Sequence, residues 1–206
     1  MEQERMRRGP YRRGIERRRE IVAVATEVFG EHGFKGGTLQ RVADRVGVTT
    51  GAILKLFGSK EQLLIAVLEH WDAVTKTVIV AESTGVARLE GFRQLMRYHV
   101  EHRGLLDLYI TMAAEATAPE HPAHAFMRER YCITLLDMQQ LFRDAVAAGD
   151  FAPMTDAEVE TEAAFLLAAM DGLEMQHLLA TPTDLVAAFD TYAAAIIARR
   201  GAQTRQ

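Results

Sequence analysis

The segment TLQRVADRVGVTTGAILKLFGSK, residues 38–60, decides the fold of this chain. Apolar residues recur at helical spacing in each half of the segment, and Gly47 separates the halves. Thr38 and Thr49 precede the two short helices, where their hydroxyls are suited to cap free backbone N–H groups. Two short helices joined by a glycine turn form a helix-turn-helix, a unit that can present its second helix to the major groove of DNA.

The residues around the turn divide into a packed set and an outward set. Ala43 is small enough for the two helices to cross closely, and Val48, Ile53 and Phe57 are expected to pack on a preceding helix. The outward positions, the helix N-termini and nearby cations suit phosphates and base edges. The predicted DNA-binding residues are Arg12, Arg13, Thr38, Thr49, Thr50, Gly51, Leu54, Lys55 and Lys60.

These residues are expected to make two kinds of contact. The capping threonines and Lys60 suit phosphates, because hydroxyl, backbone N–H and ammonium groups all donate hydrogen bonds. Thr50 and Lys55 are expected to approach base edges, and Gly51 lets the backbone come close to them.

An arginine-rich arm precedes the first helix. Arg7, Arg8, Arg12 and Arg13 can follow the DNA backbone or enter a minor groove. The alternative is a solvated tail that makes no contact with DNA.

The charge of the chain is divided unevenly along its length. The 206 residues include 24 Lys or Arg and 28 Asp or Glu, a net charge of −4. Residues 1–60 hold 13 basic and 7 acidic residues, a net of +6, whereas residues 61–206 hold 11 and 21, a net of −10. This division indicates that contact with a polyanion is confined to the first part of the chain.

The rest of the chain has the same helical character, with five prolines and 49% hydrophobic residues. We therefore predict an all-α fold of about nine helices. Thr155 and Glu158 have capping-box spacing, as do Ser59 and Gln62, and Pro182 suits the first turn of the last helix. The predicted helices cover about residues 15–32, 39–46, 50–57, 60–74, 86–102, 105–118, 122–148, 156–179 and 182–200.

Cys132 is the only cysteine, so an intrachain disulfide is excluded, and we expect it to be an inert core thiol. The arginine-rich start lacks the apolar stretch of a signal peptide, and no segment has the length of uncharged apolar sequence that crosses a membrane. We expect a cytoplasmic protein with no membrane association.

Residues 42–64 resemble the DNA-binding domain of the TetR (tetracycline repressor) family of bacterial transcription regulators. The shared pattern is an alanine-containing helix, a Gly-Val-Thr-x-Gly turn, a recognition helix that ends in Phe, and Lys-Glu-x-Leu-Leu. The upstream stretch AVATEVFGEHGFKGGTL, residues 23–39, resembles the first helix and loop of the family, including Phe29 and Gly33. The resemblance covers about residues 15–70.

The resemblance implies a basic arm at 1–14, a helix-turn-helix DNA-binding domain at 15–62 and a helical ligand-binding and dimerisation domain at 63–206. It implies a ligand-responsive regulator, more often a repressor, that binds an inverted-repeat operator in double-stranded DNA as a homodimer. A small lipophilic effector would release the DNA. The sequence shows no motif for catalysis, so we expect no enzyme activity and no cofactor.

Two positions depart from the pattern of the family. Many members carry Tyr at the position of Leu54, and Tyr or His at that of Leu56. Leucine offers only apolar contact, for example to a thymine methyl group, and Leu56 can instead be part of the core. An alternative therefore stays open, a small-molecule-binding or interaction dimer that has lost specific DNA recognition.

Aromatic and methionine side chains along the central helices suit a lipophilic ligand, and a few polar residues there are candidates for orienting it. The alternative is that these residues form ordinary core. The predicted effector-binding residues are Trp71, Tyr98, Tyr109, Met112, Glu115, Tyr131, Met138, Met170, Glu174 and His177.

The last two helices pair between subunits in the family, and each carries an apolar stripe here. Gly172 suits a close helix crossing. The alternative is that both stripes pack within one subunit. The predicted dimer-interface residues are Leu166, Met170, Leu173, Phe189, Tyr192 and Ile196.

Glu115, His121 and His124 lie near one another around a proline-rich helix junction. Imidazole and carboxylate groups can share a divalent metal ion, but exposed histidines at a junction explain the pattern more simply. We predict no metal site.

Overall fold

The computed structural model describes residues 2–79 and 84–201, with side chains from residue 13 onward. These residues form nine α-helices and no strand, which confirms the all-α prediction. The helices are α1 (Glu2–Gly36), α2 (Leu39–Val46), α3 (Thr50–Phe57), α4 (Lys60–Val78), α5 (Arg88–Glu101), α6 (Arg103–Glu115), α7 (His124–Ala148), α8 (Asp156–Leu178) and α9 (Leu185–Arg200).

The helix-turn-helix forms as its sequence predicts, because its boundaries are set by local hydrogen bonds. The Thr38 hydroxyl accepts a hydrogen bond from the Arg41 amide, and Thr49 accepts one from Ala52, each at 3.2 Å. Gly47 ends α2 with φ of 75°, a conformation that a side chain would disfavour.

Two apolar cores organise the molecule. The first joins α1, α2 and α3 to α4 and α6, and it includes Ile21, Phe29 and Ile53, none of which is exposed. The second lies between α5, α7, α8 and α9 and includes Phe142 and Phe189. The DNA-binding unit therefore shares its core with two helices of the larger part of the chain.

Several helix boundaries differ from the prediction. Helix α1 begins at Glu2 rather than near Ile15, although its helical geometry breaks at Gly33 as expected, with φ of 66°. Helix α9 begins at Leu185 rather than Pro182, because Asp184 caps it by accepting a hydrogen bond from the Ala187 amide at 2.9 Å. The capping box at the start of α8 is confirmed.

Cys132 was predicted wrongly to be a core thiol, and Leu56 does not take the core position that the sequence left open as an alternative. Cys132 is exposed on α7, because the apolar side of this helix that faces the core carries Met138 and Phe142 instead. Leu56 on α3 is 41% exposed, since Ile53 and Phe57 already fill the contact with α1.

Helices α1 and α6 cross at two glycines. A Cβ atom added to Gly104 would lie 2.5 Å from the carbonyl oxygen of Gly30, so the two backbones are in direct contact. Beside this crossing, the Arg103 guanidinium donates hydrogen bonds to the carbonyl oxygens of His177 and Leu178, at 2.9 and 2.6 Å. The start of α6 is thereby joined both to α1 and to the end of α8.

Candidate DNA-binding face and effector cavity

Helix α3 presents a solvent-facing surface formed by Gly51, Leu54, Lys55 and Leu56. Thr49 is also exposed at its N-terminus, and Thr50 is half-buried. The N-terminal amides of a helix favour anionic groups, so this end suits phosphate. The surface is compact enough to enter a major groove, which admits one α-helix.

Gly51 leaves open space at the start of α3. A Cβ atom built there would meet only the Thr49 hydroxyl, at 3.8 Å. The fold therefore tolerates a side chain at this position, and the glycine serves no packing purpose within the subunit.

The structure places Lys60 differently from the other predicted DNA contacts. Its ammonium nitrogen lies 4.4 Å from the centroid of the Phe34 ring, and its side chain is half-buried. Partial burial lowers the pKa of Lys60, because the charged form loses hydration. The group is thus engaged with an aromatic face of the DNA-binding unit.

The backbone of the arginine arm belongs to α1, and its side chains are described only from Arg13 onward. Arg13 is exposed on α1, whereas the side chains of Arg7, Arg8 and Arg12 lie outside the described residues.

Arg45 fixes the orientation of α2 against α1, a role that the sequence did not indicate. Its guanidinium donates two hydrogen bonds to Glu31, at 3.1 and 3.0 Å. This bond lowers the pKa of Glu31 and raises that of Arg45. The two residues are 14 positions apart, so only the fold brings them together.

A cavity of about 300 Å³ lies between α4, α5, α7 and α8. Five of the predicted effector residues line it: Tyr109, Tyr131, Met138, Met170 and Glu174. The other wall residues are Asp72, Thr75, Lys76, Ile79, Arg88, Phe92, Leu95, His99, Arg130, Thr134, Asp137, Leu167 and Asp171.

The remaining five predicted effector residues do not line this cavity. Trp71 and Met112 are buried in the first core, and Glu115 pairs with Lys35 at 3.7 Å. Tyr98 packs against that core and stacks on His102, and His177 is half-buried near the end of α8. The structure thus places these five residues away from this cavity, because helical periodicity does not distinguish a core side chain from a cavity wall.

Hydrogen-bonded charged groups form one end of the cavity. His99 donates from Nδ1 to Glu174 at 2.7 Å, and the Tyr131 hydroxyl donates to Asp171 at 2.9 Å. Arg130 donates to the Tyr109 hydroxyl at 2.8 Å. The wall is therefore more polar than the lipophilic pocket that the sequence predicted.

Burial controls the titration of this cluster. Desolvation, with the neighbouring Glu174 charge, raises the pKa of Asp171 to about 6. Desolvation also raises the pKa values of Tyr109 and Tyr131, so both hydroxyls stay protonated donors.

A second cavity of about 400 Å³ adjoins the first between α6, α7 and α8. Tyr131 and Asp171 line both cavities. The residues that line the second cavity are mostly apolar, and they include Ile110, Met127 and Met175.

The sequence analysis missed Asp72, Arg130 and Asp171. Asp72 forms ion pairs with Lys76 and Arg130, each at 2.9 Å. One feature of the sequence could have indicated Asp171. It lies three residues before Glu174 on the same helix, and this spacing puts the two carboxylates side by side on the helix surface.

The predicted dimer residues are placed within the subunit. Leu166, Phe189 and Ile196 have no exposed surface, and Met170 is 5% exposed. Leu173 and Tyr192 are partly buried against the same core. Leu166, Met170, Phe189 and Ile196 are thus covered within their own subunit, and the assignment of the six residues to an interface stays a prediction.

The opposite sides of α8 and α9 carry small and apolar residues that face solvent. Phe165 is 58% exposed and Leu179 is 69% exposed. We call this surface the α8–α9 face, and its exposed residues are Thr161, Ala164, Phe165, Ala168, Gly172 and Met175 on α8, Leu179 directly after α8, and Ala187, Thr191, Ala194, Ala195 and Ala198 on α9.

Within the described part of the chain, no group of three or more His, Cys, Asp or Glu side chains is arranged to hold a metal ion. The His124 ring instead bonds to the Ala116 carbonyl at 2.8 Å. No helix among these residues is both long and apolar enough to cross a bilayer.

Comparison with known proteins identifies relatives of the DNA-binding unit. The family model described as bacterial regulatory proteins, tetR family, matches residues 21–67. The repressor AcnR of Corynebacterium diphtheriae is 37% identical over 86 residues, which are 42% of this chain and 41% of AcnR. The regulator BetI of Paraburkholderia phymatum is 33% identical over 78 residues, 35% of this chain and 40% of BetI. The chain thus spans about two fifths of these relatives.

The similarity of fold extends over almost the whole chain. A TetR transcription regulator from Haloarcula marismortui superposes with a TM-score of 0.77 at 21% identity, covering 90% of this chain and 98% of that structure. At 21% identity, this similarity shows a shared fold alone.

Proposed function

Because residues 21–67 match the family of bacterial regulatory proteins described as tetR, we propose that the chain is a cytoplasmic transcription repressor of that family, which binds an inverted-repeat operator as a homodimer. The observation that carries the proposal is the solvent-facing surface of α3, a helix that is capped by Thr49. Gly51 and Lys55 are both exposed on this surface, and the packing of the described residues does not require a glycine at position 51. One helix-turn-helix reads only a half-site, so two copies related by a twofold axis would address an inverted repeat.

The α8–α9 face supports the homodimer. Its residues follow the helical repeat along each helix, and Gly172 meets nothing within 4 Å, so a second helix can approach closely there. An exposed apolar face of this kind is typical of an interaction surface. We therefore assign the interface to this face in place of the buried stripes.

The cavity supports regulation by a small molecule. Its wall is built from α4, α5, α7 and α8, and α4 begins at Lys60, directly after the helix-turn-helix. The two α3 helices of a dimer must have the separation that the operator requires. A ligand that binds more tightly to a conformation with another separation lowers the affinity for DNA, by at most the difference between its binding free energies for the two conformations.

Two structural links can carry this change to the DNA-binding unit. Helix α4 connects the cavity to α3 along the chain. The second link runs from α8 through Arg103 to α6, and from Gly104 to Gly30 of α1. We propose that a ligand-induced shift of α8 reaches α1 by this second link.

The test begins with genome-wide capture of DNA by the full chain, which supplies the operator. A double variant, Thr50→Ala with Lys55→Ala, should lose operator binding almost completely, because both predicted base contacts disappear. The matched control is Thr77→Ala with Arg97→Ala, which removes a hydroxyl and a cation from exposed positions on α4 and α5.

Unchanged operator affinity in the α3 double variant would contradict the assignment of the recognition surface. Capture of no preferred sequence would instead favour the alternative, a ligand-binding or interaction dimer without specific DNA recognition.

A further inference from the structure

The two cavities share one partition, the hydrogen bond from Tyr131 to Asp171. Both residues line both cavities, and the bond joins α7 to α8 across them at 2.9 Å. A molecule that replaces this bond gains access to both spaces. The cavities are therefore two compartments of one site.

The charges of the first cavity are not balanced. Its wall carries four carboxylates, those of Asp72, Asp137, Asp171 and Glu174, against three permanent cations, Lys76, Arg88 and Arg130. The Lys76 and Asp137 side chains are 56% and 51% exposed, so solvent screens their charges. The less exposed groups, three carboxylates (Asp72, Asp171 and Glu174) against Arg88 and Arg130, keep one excess carboxylate, which favours a cationic occupant because an uncompensated buried charge is costly.

The ion pairs of the wall show which carboxylate has no cationic partner. Asp72 is paired with both Lys76 and Arg130, Asp137 lies 3.9 Å from Arg88, and Glu174 accepts a hydrogen bond from His99. Among the residues that the structure describes, no cationic nitrogen lies within 4 Å of the Asp171 carboxylate, and its one bond is to the Tyr131 hydroxyl. Asp171 is thus the carboxylate that a ligand can pair with.

A second unpaired group lies in the same wall. His99 is 6% exposed, and its Nε2 atom has no hydrogen-bond partner among the described residues. Nδ1 of this ring already bonds to Glu174, so Nε2 is the ring atom that can still bond to a ligand. Asp171, which has no cationic partner, and Nε2 of His99 are therefore both open to a polar group of a ligand.

The second compartment has the opposite character. Ile110, Ala113, Met127 and Met175 contribute apolar surface, and methionine side chains adapt to varied apolar shapes. The compartment offers room for an apolar chain or ring that is attached to a group at Asp171.

We propose that the ligand of these cavities is an amphiphilic organic amine, with its ammonium group at Asp171 and its apolar part between Met127 and Met175. The inference deepens the proposed function, since it names the chemical class of the effector for the same site. The ammonium donates to Asp171, and its apolar body displaces water from the second compartment.

The test uses three probes with the same chain and different head groups: octylamine, octanol and octanoate. Trp71 is the only tryptophan and stacks on His99 with ring centroids 5.6 Å apart, so its fluorescence reports events at the cavity wall. We expect octylamine to bind about tenfold or more tightly than octanol, and octanoate to bind most weakly. Butylamine should bind more weakly than octylamine, because it leaves the second compartment empty.

Asp171→Asn should reduce the affinity for octylamine to that for octanol, whereas Asp137→Asn should not. The control removes the same charge from the same wall but at a residue that already has Arg88 as its partner. Equal binding of octanol or octanoate, or equal loss in the two variants, would overturn the amine proposal.

The same probes added to the protein–operator complex separate this inference from the proposed function. Release of the operator by octanoate but not by octylamine would keep the regulator and refute the amine. Selective binding of octylamine that depends on Asp171 but never releases DNA would keep the ligand class and refute the proposed regulation.

Discussion

At the scale of the single residue, a substitution at Gly51 can test DNA recognition without loss of folding stability. Gly51→Ala places a methyl group in open space on α3 and replaces glycine within a helix, which stabilises helices by about 0.5–1 kcal/mol. We expect thermal unfolding at an unchanged or higher temperature and an operator affinity lower by about tenfold, because the methyl group blocks close approach to the bases. Anisotropy of labelled operator measures the second effect, and unchanged affinity would remove Gly51 from the interface.

Asp171 should make the unliganded protein less stable as the pH rises. Its pKa is raised to about 6 in the folded chain, against an ordinary value of 3.8, so the folded state keeps a proton that the unfolded state releases. The free energy of unfolding therefore falls between about pH 4 and 6, and the full loss persists above this window.

Asp171→Asn removes this penalty. Glu174 on α8, Arg130 and Tyr131 on α7, Tyr109 on α6 and His99 on α5 still surround the position. We expect the variant to be more stable by ~3 kcal/mol at pH 7.5 and to show no gain below about pH 4. Denaturant unfolding at the two pH values measures the difference, and a variant that is less stable at pH 7.5 would contradict the expected sign.

The residue scale also shows what the sequence could predict. Thr38, Gly47 and Thr49 act on amides and carbonyls within a few positions, so their local spacing was sufficient. His99 and Glu174 are 75 positions apart, and Tyr131 and Asp171 are 40 apart. Such pairs depend on how the helices pack, and no local pattern contains that information.

At the scale of the element, the crossing of α1 and α6 should be sensitive to a single methyl group. Gly104→Ala puts a Cβ atom 2.5 Å from a backbone oxygen, so the helices must separate. We expect a loss of about 1–3 kcal/mol in unfolding free energy and a weaker response of operator binding to ligand.

Gly30→Ala is the matched control, because its Cβ atom would meet the flexible Leu105 side chain at 3.0 Å. Its cost should be smaller than that of Gly104→Ala. Equal stability of the two variants in denaturant unfolding would show that the backbone contact does not fix the crossing.

Helix α8 explains why the sequence assigned the interface to the side of the helix that the structure buries. Apolar residues occur on both sides of this helix, with Leu166 and Met170 inside and Phe165 and Leu179 outside. Glu162 lies on the buried side, where it pairs with Arg199 and Arg200 at 2.6 and 2.9 Å. The spacing of apolar residues predicted the helix correctly. It could not predict which side of the helix faces the core, because both sides carry apolar residues.

At the scale of the whole molecule, the α8–α9 face determines whether two DNA-binding units act together. Phe165→Glu adds a charge to this face, where the isolated subunit tolerates it because the side chain is 58% exposed. We expect the dimer dissociation constant to rise by at least about tenfold with unchanged subunit stability.

Val100→Glu provides the comparison for this variant. Val100 is 40% exposed on α5, outside the α8–α9 face, so the same substitution there should leave the dimer intact. Sedimentation at micromolar concentration measures both variants. A dimer that persists in Phe165→Glu would place the interface elsewhere.

The division of charge also belongs to this scale. Residues 1–60 carry the net positive charge and α3, whereas the acidic remainder holds the cavities and the α8–α9 face. The sequence predicted this division and the helix-turn-helix, but not the polar interior of the cavity.

The most direct test of the account is selection of random DNA duplexes by the full-length chain. The account predicts enrichment of an inverted repeat whose half-sites lie about 10 base pairs apart or a multiple of that spacing, because two α3 helices must enter major grooves together. Enrichment of no sequence, or of a single half-site without a symmetric partner, would contradict it.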